Sequence, residues 1–331
     1  MVERSISFGS ESAGADPSQR LRAFIEEQAT GPAPPAARAL SDTLVARGGD
    51  SVQAVLFYGS WLRDGDAEGV GDLYVLVDGY RAYYRRRTLA LTNRILAPNV
   101  FYFELKLPER VMRAKYAVIS LRDFRHGVSV RRFHSYLWGR FCQPTRLLYA
   151  RDDSVRREIH EALCQAARTF VARVIPCVEA TFDARELWTQ GLALSYAAEL
   201  RAEHRARARA LYEAEASYYE TLTPLLIAQA PYAVASVGNA GDRARYRASI
   251  PERARRRARV AWRVRCIQGK ALSFARLVKA LFTFDGGLDY AAWKIRRHSG
   301  VEMVVTSRMR RHPLLASLGM AWRVYRRGGF R

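Results

Sequence analysis

The sequence predicts an α/β protein: a mixed-sheet domain over residues 51–150, followed by a mostly helical C-terminal region. Three observations carry this. Two apolar runs rich in β-branched and aromatic residues, Val52–Tyr58 (VQAVLFY) and Asp72–Asp78 (DLYVLVD), flank a loop containing Gly65, Gly69 and Gly71, and read as strands. Two further strand-like runs, Val100–Leu107 (VFYFELKL) and Lys115–Leu121 (KYAVISL), follow a basic helical stretch at Arg81–Ile95. Beyond residue 150 the pattern becomes helical and Ala-rich. The order strand, strand, helix, strand, strand is not a βαβ repeat, which argues against a Rossmann domain.

The remaining elements follow in order. Residues 1–18 are polar and read as a loose tail. Leu21, Phe24 and Ile25 mark an amphipathic turn, broken by Gly31-Pro-Ala-Pro-Pro35. A second helix is predicted from Ala36 to Arg47, stopped by Gly48-Gly49. Residues 232–252, with their Gly and Asn content, read as a loop or linker. Pro251–Arg265 (PERARRRARVAWRVR) is a dense Arg run, and 268–296 reads as helical with a break at Gly286-Gly287. The chain thus divides into an N-terminal tail with helices (1–50), the sheet domain (51–150), a helical domain (151–250) and a basic helical segment (251–331).

Composition narrows the function classes. A chain of 331 residues exceeds one ordinary core, so two domains are the prior. Hydrophobic residues make up 49%, enough to exclude a disordered chain. Lys plus Arg is 54 against 32 acidic residues, a net charge of +22, and only Lys106, Lys115, Lys270, Lys279 and Lys294 are lysines. Such a field favours polyanions: nucleic acid, an anionic bilayer or phosphorylated small molecules. Cys142, Cys164, Cys177 and Cys266 form no C-x-x-C, which excludes a zinc ribbon or thioredoxin motif. The six histidines lack metal-ligand spacing. The N-terminal stretch MVERSISFGSESAGAD has no apolar signal core, and no run approaches the ~18 apolar residues of a membrane span.

The sharpest local signal is Tyr58-Gly59-Ser60, eleven residues, then Asp72. A strand ending in Gly-Ser, followed by a strand opening with Asp, is the layout of nucleotidyltransferase domains. Glycine lets the backbone approach a triphosphate, and Ser60 with the N–H groups of a helix start holds its oxygens. An Asp on the next strand holds Mg²⁺. Such sites usually carry a second acid two residues on; here that residue is Tyr74. Asp78 shares Asp72's strand face, but six residues span roughly 20 Å. It reads as a turn residue before Gly79. A second ligand must come from Asp64, Asp66, Glu104 or Glu199.

Further blocks follow in order. Lys115-Tyr-Ala-Val-Ile-Ser120 precedes Tyr136-Leu-Trp-Gly-Arg-Phe-Cys-Gln-Pro144, then Ala193-Leu-Ser-Tyr-Ala-Ala-Glu-Leu-Arg201 and Lys279-Ala-Leu-Phe-Thr283. Together with Tyr58-Gly59-Ser60 and Asp72, the chain resembles the mitochondrial-type phosphatidate cytidylyltransferase (translocator-maintenance) family and its bacterial relatives. That family reads Y-G-S-G-V-F, then D-L/F-I/V-F, K-Y-G-V-I/V-S, Y-x-A-G-R-L-Q-K-P-V, A-L-S-Y-A/S-G-D-I/F-R and K-G-V/I-F-T. It too lacks an acid two residues after its Asp. The chain departs from the pattern at Trp61 (Gly in the family), Phe103 (Asn), Trp138 (Ala) and Glu199 (Asp).

The resemblance implies a reaction, CTP plus phosphatidic acid giving CDP-diacylglycerol and pyrophosphate, with Mg²⁺ as cofactor. It implies catalytic roles for Asp72 (also the metal ligand), Lys115, Arg140 and Glu199. It implies nucleotide or lipid-phosphate contacts for Tyr58, Gly59, Ser60, Tyr116, Ser195, Tyr196, Arg201 and Lys279. Helical spacing puts Ser195, Tyr196 and Glu199 on one face, with Glu203 four residues beyond Glu199. Two like charges at that spacing call for a cation between them, Mg²⁺ or an arginine.

A bilayer substrate without a spanning segment requires docking on an anionic membrane surface. The expected location is therefore cytoplasmic and peripheral, on the inner face of the cell membrane. Arg253, Arg255, Arg256, Arg257, Arg259, Arg263 and Arg265 are candidates, as are Leu314, Leu315, Leu318, Trp322 and Tyr325 near one helical face. The alternative for the latter is packing on the protein's own core. Two other functions compete: nucleotidyl transfer to another acceptor, and a basic lipid- or nucleic-acid-binding protein without catalysis. No RNP, zinc-finger or KH signature occurs, so no nucleic-acid partner is expected.

Overall fold

The computed structural model describes residues 16–64, 70–106, 111–200, 205–240 and 243–283, with Thr306 and Met309. The elements run α1 (Pro17–Thr30), α2 (Pro35–Gly48), β1 (Val52–Tyr58), α3 (Ser60–Asp64), β2 (Val70–Val77), α4 (Tyr80–Tyr83), α5 (Arg87–Ile95), β3 (Asn99–Lys106) and β4 (Val111–Ser120). They continue α6 (Leu121–Val128), α7 (Trp138–Phe141), β5 (Thr145–Ala150), α8 (Asp153–Val174), β6 (Thr181–Asp183), α9 (Ala184–Ala197), α10 (Arg205–Ala214) and α11 (Ala216–Ile227). A strand pair, β7 (Ala233–Ala240) and β8 (Arg243–Ser249), leads into the long α12 (Glu252–Thr283). The fold is α/β, a mixed sheet with a helical region after it. The chain forms two compact units, each discontinuous in sequence: residues 1–32, 124–146 and 152–270 in one, and 33–123, 147–151 and 271–331 in the other.

The sheet unit contains a five-stranded sheet in the order β3-β4-β2-β1-β5. β2 runs parallel to β4, whereas β1 with β2 and β3 with β4 are antiparallel. One face carries Val55, Phe57, Leu73, Val75, Phe101 and Phe103, which pack under Leu40 and Leu44 of α2. The other face buries Leu56, Tyr74 and Leu76, which is why these strands read as nearly continuous apolar runs. Asn93 fastens α5 to the sheet: its amide donates to the Val118 carbonyl at 2.9 Å and accepts from the Asn99 N–H at 2.6 Å. The stretch predicted as one helix, 81–95, is two. Tyr84 and Arg86 adopt extended backbone between α4 and α5, and Tyr84 turns into the core.

The helical unit is organised around stacked rings. Trp188 of α9 lies 4.9 Å from Phe170 of α8, nearly parallel, and 4.6 Å from Tyr219 of α11. Its indole N–H donates to Thr223 Oγ1 at 2.9 Å. Asp183 caps α9 reciprocally with Glu186, which sets where that helix begins. Residues 232–252, read as a linker, instead form β7 and β8, a hairpin that pairs with β6. Period-two burial of Tyr246 and Ala248 between arginines drives β8. Gly238, at φ +96°, marks the register shift that gave the segment its loop-like composition.

The Arg run corrects a third expectation. It lies on α12, but its members are not equivalent. Arg265 is 2% exposed, and its Nε donates to the Phe133 carbonyl at 2.7 Å. Arg255 donates to the Val178 carbonyl at 2.6 Å. Arg265 is therefore withdrawn from any surface partner, and Arg255 is half-buried. The four cysteines are free thiols.

His160 of α8 is fully buried, with Glu26 Oε1 3.6 Å from Nδ1. Burial outweighs the Glu26 carboxylate and holds its pKa below the ordinary 6.5. The folded state therefore keeps the ring neutral, while the unfolded chain takes up a proton as pH falls through 6.5. The stability His160 contributes is complete above that pH and is lost below it. We expect Tm to fall more steeply between pH 7.5 and pH 5 in the parent than in His160→Leu, in thermal melts at matched ionic strength.

Candidate active site

The pairing registers build the site. Tyr58 on β1 faces Asp72 on β2, Asp72 faces Lys115 on β4, and Lys115 faces Tyr102 on β3. Directly paired residues share a sheet face. The four side chains therefore form one row across four strands, on the face opposite the α2-covered core. Lys115 Nζ lies 2.9 Å from Asp72 Oδ1, and both side chains keep partial access to solvent. Tyr102 is buried and donates to Glu104 Oε1 at 2.8 Å; Arg113 Nε reaches the same oxygen at 3.2 Å. Burial, then the bond to Glu104, pushes the Tyr102 hydroxyl well above its ordinary pKa. Tyr102 was not among the residues singled out from the sequence. Only strand register brings it beside Lys115.

Gly59 closes the end of the row. Its φ is +99°, and a Cβ there would sit 3.0 Å from Asp72 Oδ2. The positive φ favours glycine, and a Cβ would crowd the Asp72 carboxylate. Ser60, the exposed first residue of α3, follows directly. We expect Gly59→Ala to cost about 1–2 kcal/mol through its left-handed backbone and to displace the Asp72 carboxylate. Urea unfolding reads the first effect.

Two departures from the family pattern have a packing explanation. Trp61 is 2% exposed and lies edge-on to Phe57 at 5.6 Å. Gly71 makes room for it, since a Cβ at Gly71 would meet the indole at 2.6 Å. Phe103 lies on the core face under the Arg47 guanidinium. Neither ring belongs to the polar row.

Other predicted residues fall elsewhere. Tyr116 is on the core face, stacked on Phe101 at 5.3 Å, with its ring turned from the row. Lys279 of α12 donates to the carbonyls of Leu96 and Pro98. Those carbonyls precede Asn99, three register positions along β3 from Tyr102, or roughly 10 Å. Burial, with the Arg276 guanidinium, pushes the Lys279 ammonium down to about 7. Lys279 ties α12 to the turn before β3 and is not brought to Asp72.

The helical unit holds the second set. Arg140 pairs with Glu199 at 3.3 Å and lies over the Tyr136 ring at 4.5 Å. An arginine thus stands beside Glu199. The helical-face reading of Glu199 does not hold, because α9 ends at Ala197. Ser195 is buried, and a Cβ at Gly139 would fall 2.1 Å from its hydroxyl. The Gly139 and Ser195 motif positions thus meet where α7 abuts α9. Tyr196 is half-buried in the last turn of α9. Arg201, Glu203, Asp66, the Asp64 side chain and the C-terminal Leu/Trp/Tyr face lie outside the described residues.

Among the described residues, no group of three or more His, Cys, Asp or Glu side chains assembles for a metal. Glu104 is engaged by Tyr102 and Arg113. Asp78 sits beyond β2, with its N–H on the Ser51 carbonyl. Asp72 is a hard oxygen donor of the kind Mg²⁺ takes, and it fits as a single protein ligand beside substrate phosphates.

No protein-family model matches the chain, and no curated protein matches it. Among solved structures, it is similar to a nucleotidyltransferase-like protein from Exiguobacterium sibiricum 255-15. The identity is 12%, over 88% of this chain and 92% of that one, with a TM-score of 0.26. A likeness at that level lends no weight to a functional assignment.

Proposed function

We propose that the protein is a Mg²⁺-dependent nucleotidyltransferase that moves CMP from CTP to phosphatidic acid at a membrane surface. The observation that carries this reading is the Gly59–Asp72–Lys115 arrangement: a glycine turn at positive φ against a carboxylate that a lysine holds at 2.9 Å. The choice of CTP and phosphatidic acid rests on the resemblance of the sequence blocks.

A phosphate oxygen of phosphatidic acid attacks the α-phosphorus of CTP. The new P–O bond forms as the α–β bridging bond breaks, and pyrophosphate leaves with the electron pair. The attacking oxygen is already anionic, so no strong general base is required. The Gly59 turn admits the triphosphate close to the backbone, and Ser60 offers an exposed hydroxyl beside it. Lys115 presents a cation to the phosphate oxygens and holds the Asp72 carboxylate in place. Asp72 would hold Mg²⁺, which when bound neutralises phosphate charge.

Among the described residues, no helix is long and apolar enough to cross a membrane. α12 exposes Val260, Val264 and Ile267 near Arg256, Arg257 and Arg263, a surface suited to an anionic bilayer. The test supplies CTP and Mg²⁺ with phosphatidic acid vesicles and measures pyrophosphate release. Release that requires both CTP and the lipid is the expected result. Release only with ATP or only with another acceptor would replace the substrates, and none under any pairing would remove the activity.

A further inference from the structure

Far from the polar row, at the other end of β2, α4 and α5 enclose a cleft of about 590 Å³. Arg81, Arg87 and Arg94 line it together with Tyr80, Ala90 and Leu91. The three guanidiniums are exposed, and among the described residues no carboxylate pairs with any of them. Between residues 78 and 95 the chain carries five arginines and one acid, Asp78. The nearby Asp123 carboxylate accepts the Tyr80 hydroxyl at 2.6 Å, and that hydroxyl also accepts the Ser120 N–H. Tyr80 is therefore a strut that holds α4 to the end of β4.

The apolar residues beside this charge are equally informative. Leu91 is 58% exposed and Ile95 74%. On α5, Arg87, Leu91, Arg94 and Ile95 fall at i, i+4, i+7 and i+8, one face of the helix. The adjoining side of the helix is anchored by buried Ala90 and Asn93. A rigidly held helix thus offers alternating guanidiniums and aliphatic side chains to solvent. Free arginines in a cleft select a phosphate-class anion. The aliphatic neighbours select its setting. A single strand of RNA wants successive aromatic platforms for stacking; the cleft lining offers one ring, Tyr80, tied through its hydroxyl to Asp123 and Ser120, and the exposed α5 positions Arg87, Leu91, Arg94 and Ile95 carry none. The headgroup–acyl boundary of a bilayer takes aliphatic side chains and arginines together.

We propose that the α4–α5 face is a docking site for an anionic phospholipid surface, with a headgroup phosphate held by Arg81, Arg87 and Arg94 and with Leu91 and Ile95 entering the interface. It stands on its own observations and does not require the transferase reading.

The experiment uses the full chain and sedimentation with vesicles of phosphatidylcholine, with or without about one-third phosphatidylglycerol. Phosphatidylglycerol is chosen because it is not the proposed acceptor. A lack of transferase activity therefore leaves this assay intact. The parent is expected to bind only the anionic vesicles. Arg87→Gln/Arg94→Gln is expected to weaken partition about 10- to 30-fold, and Leu91→Ser/Ile95→Ser to weaken it without changing its salt dependence. All four positions are exposed, so circular dichroism should show folded variants. Arg205→Gln/Arg207→Gln, on the exposed start of α10, removes equal charge elsewhere. An equal loss in that control would reduce the effect to net charge and overturn the site. Unchanged partition in the α5 variants would overturn it too. So would Arg87→Gln/Arg94→Gln losing inorganic pyrophosphate or RNA binding while vesicle binding persists, which would reassign the cleft to a soluble anion or a nucleic acid.

Discussion

Asp72→Asn is expected to lower pyrophosphate release by roughly 100- to 1,000-fold, the usual consequence of removing one preorganised electrostatic group from a phosphoryl-transfer site. The substitution keeps the shape of the side chain and removes its charge. In the same protein the unfolding free energy should change by about 1 kcal/mol or less, because the Lys115–Asp72 pair is partly solvated and exposed pairs contribute little. The split between the two readouts is the informative part. A catalytic carboxylate moves activity and leaves stability, whereas a structural ion pair moves both slightly. Lys115→Met should follow Asp72→Asn in activity. The double variant should be no worse than the more damaging single one, since the two side chains act as a unit. Pyrophosphate release under saturating CTP and lipid, alongside urea unfolding of each variant, is the measurement. Near-parent activity in Asp72→Asn would place the chemistry elsewhere in the chain.

Arg265→Ala is expected to cost about 3 kcal/mol in urea unfolding, the largest stability effect predicted for this protein. The guanidinium lies 4.5 Å from the Phe133 ring, 5.0 Å from Trp262 and 5.9 Å from Trp138. Its Nε satisfies the Phe133 carbonyl. Burial, with Arg173 nearby, pushes its pKa down to about 10, so the charge persists at neutral pH and is balanced by ring faces in place of an acid. Alanine removes the ring contacts, leaves a void against three aromatic side chains and strips a carbonyl of its donor. Arg265→Met fills most of the volume without the donor or the charge, and should cost less than half as much. Arg257→Gln, on the exposed face of the same helix, should cost no more than about 0.5 kcal/mol. Equal effects at 257 and 265 would contradict the buried placement.

These two residues show how far the sequence reaches. Asp72 was legible because its sequence pattern is local. A Gly-Ser turn at a strand end and an Asp opening the next apolar run are adjacent features, and both strands form where apolar patterning puts them. Lys115 was singled out by a motif, and register turns that choice into a 2.9 Å contact. Tyr102 was illegible. Nothing in VFYFELKL distinguishes its third residue from its neighbours until β3 is paired with β4 at a definite register. Tyr116 shows the converse. It is next to Lys115 in sequence, but the period of two in a strand sends it to the opposite face.

By itself the sequence determined the element types wherever periodicity was strong: β1, β2, β3, β4, the turn at Gly59 and the helical character beyond residue 150. Tertiary structure alone decided which member of a uniform series does which task. The arginines of α12 are chemically identical, and local propensity treats Arg257 and Arg265 alike. Only the arrival of Phe133, Trp138 and Trp262 around one of them makes it a core residue. The same holds for the strands at 233–249, whose glycine and asparagine content reads as loop until β6 supplies a pairing edge. It holds again for Trp61, which is a buried side chain because Gly71, ten residues away, leaves the space. Short-range preference is a property of the chain. Burial and register are properties of what packs against it.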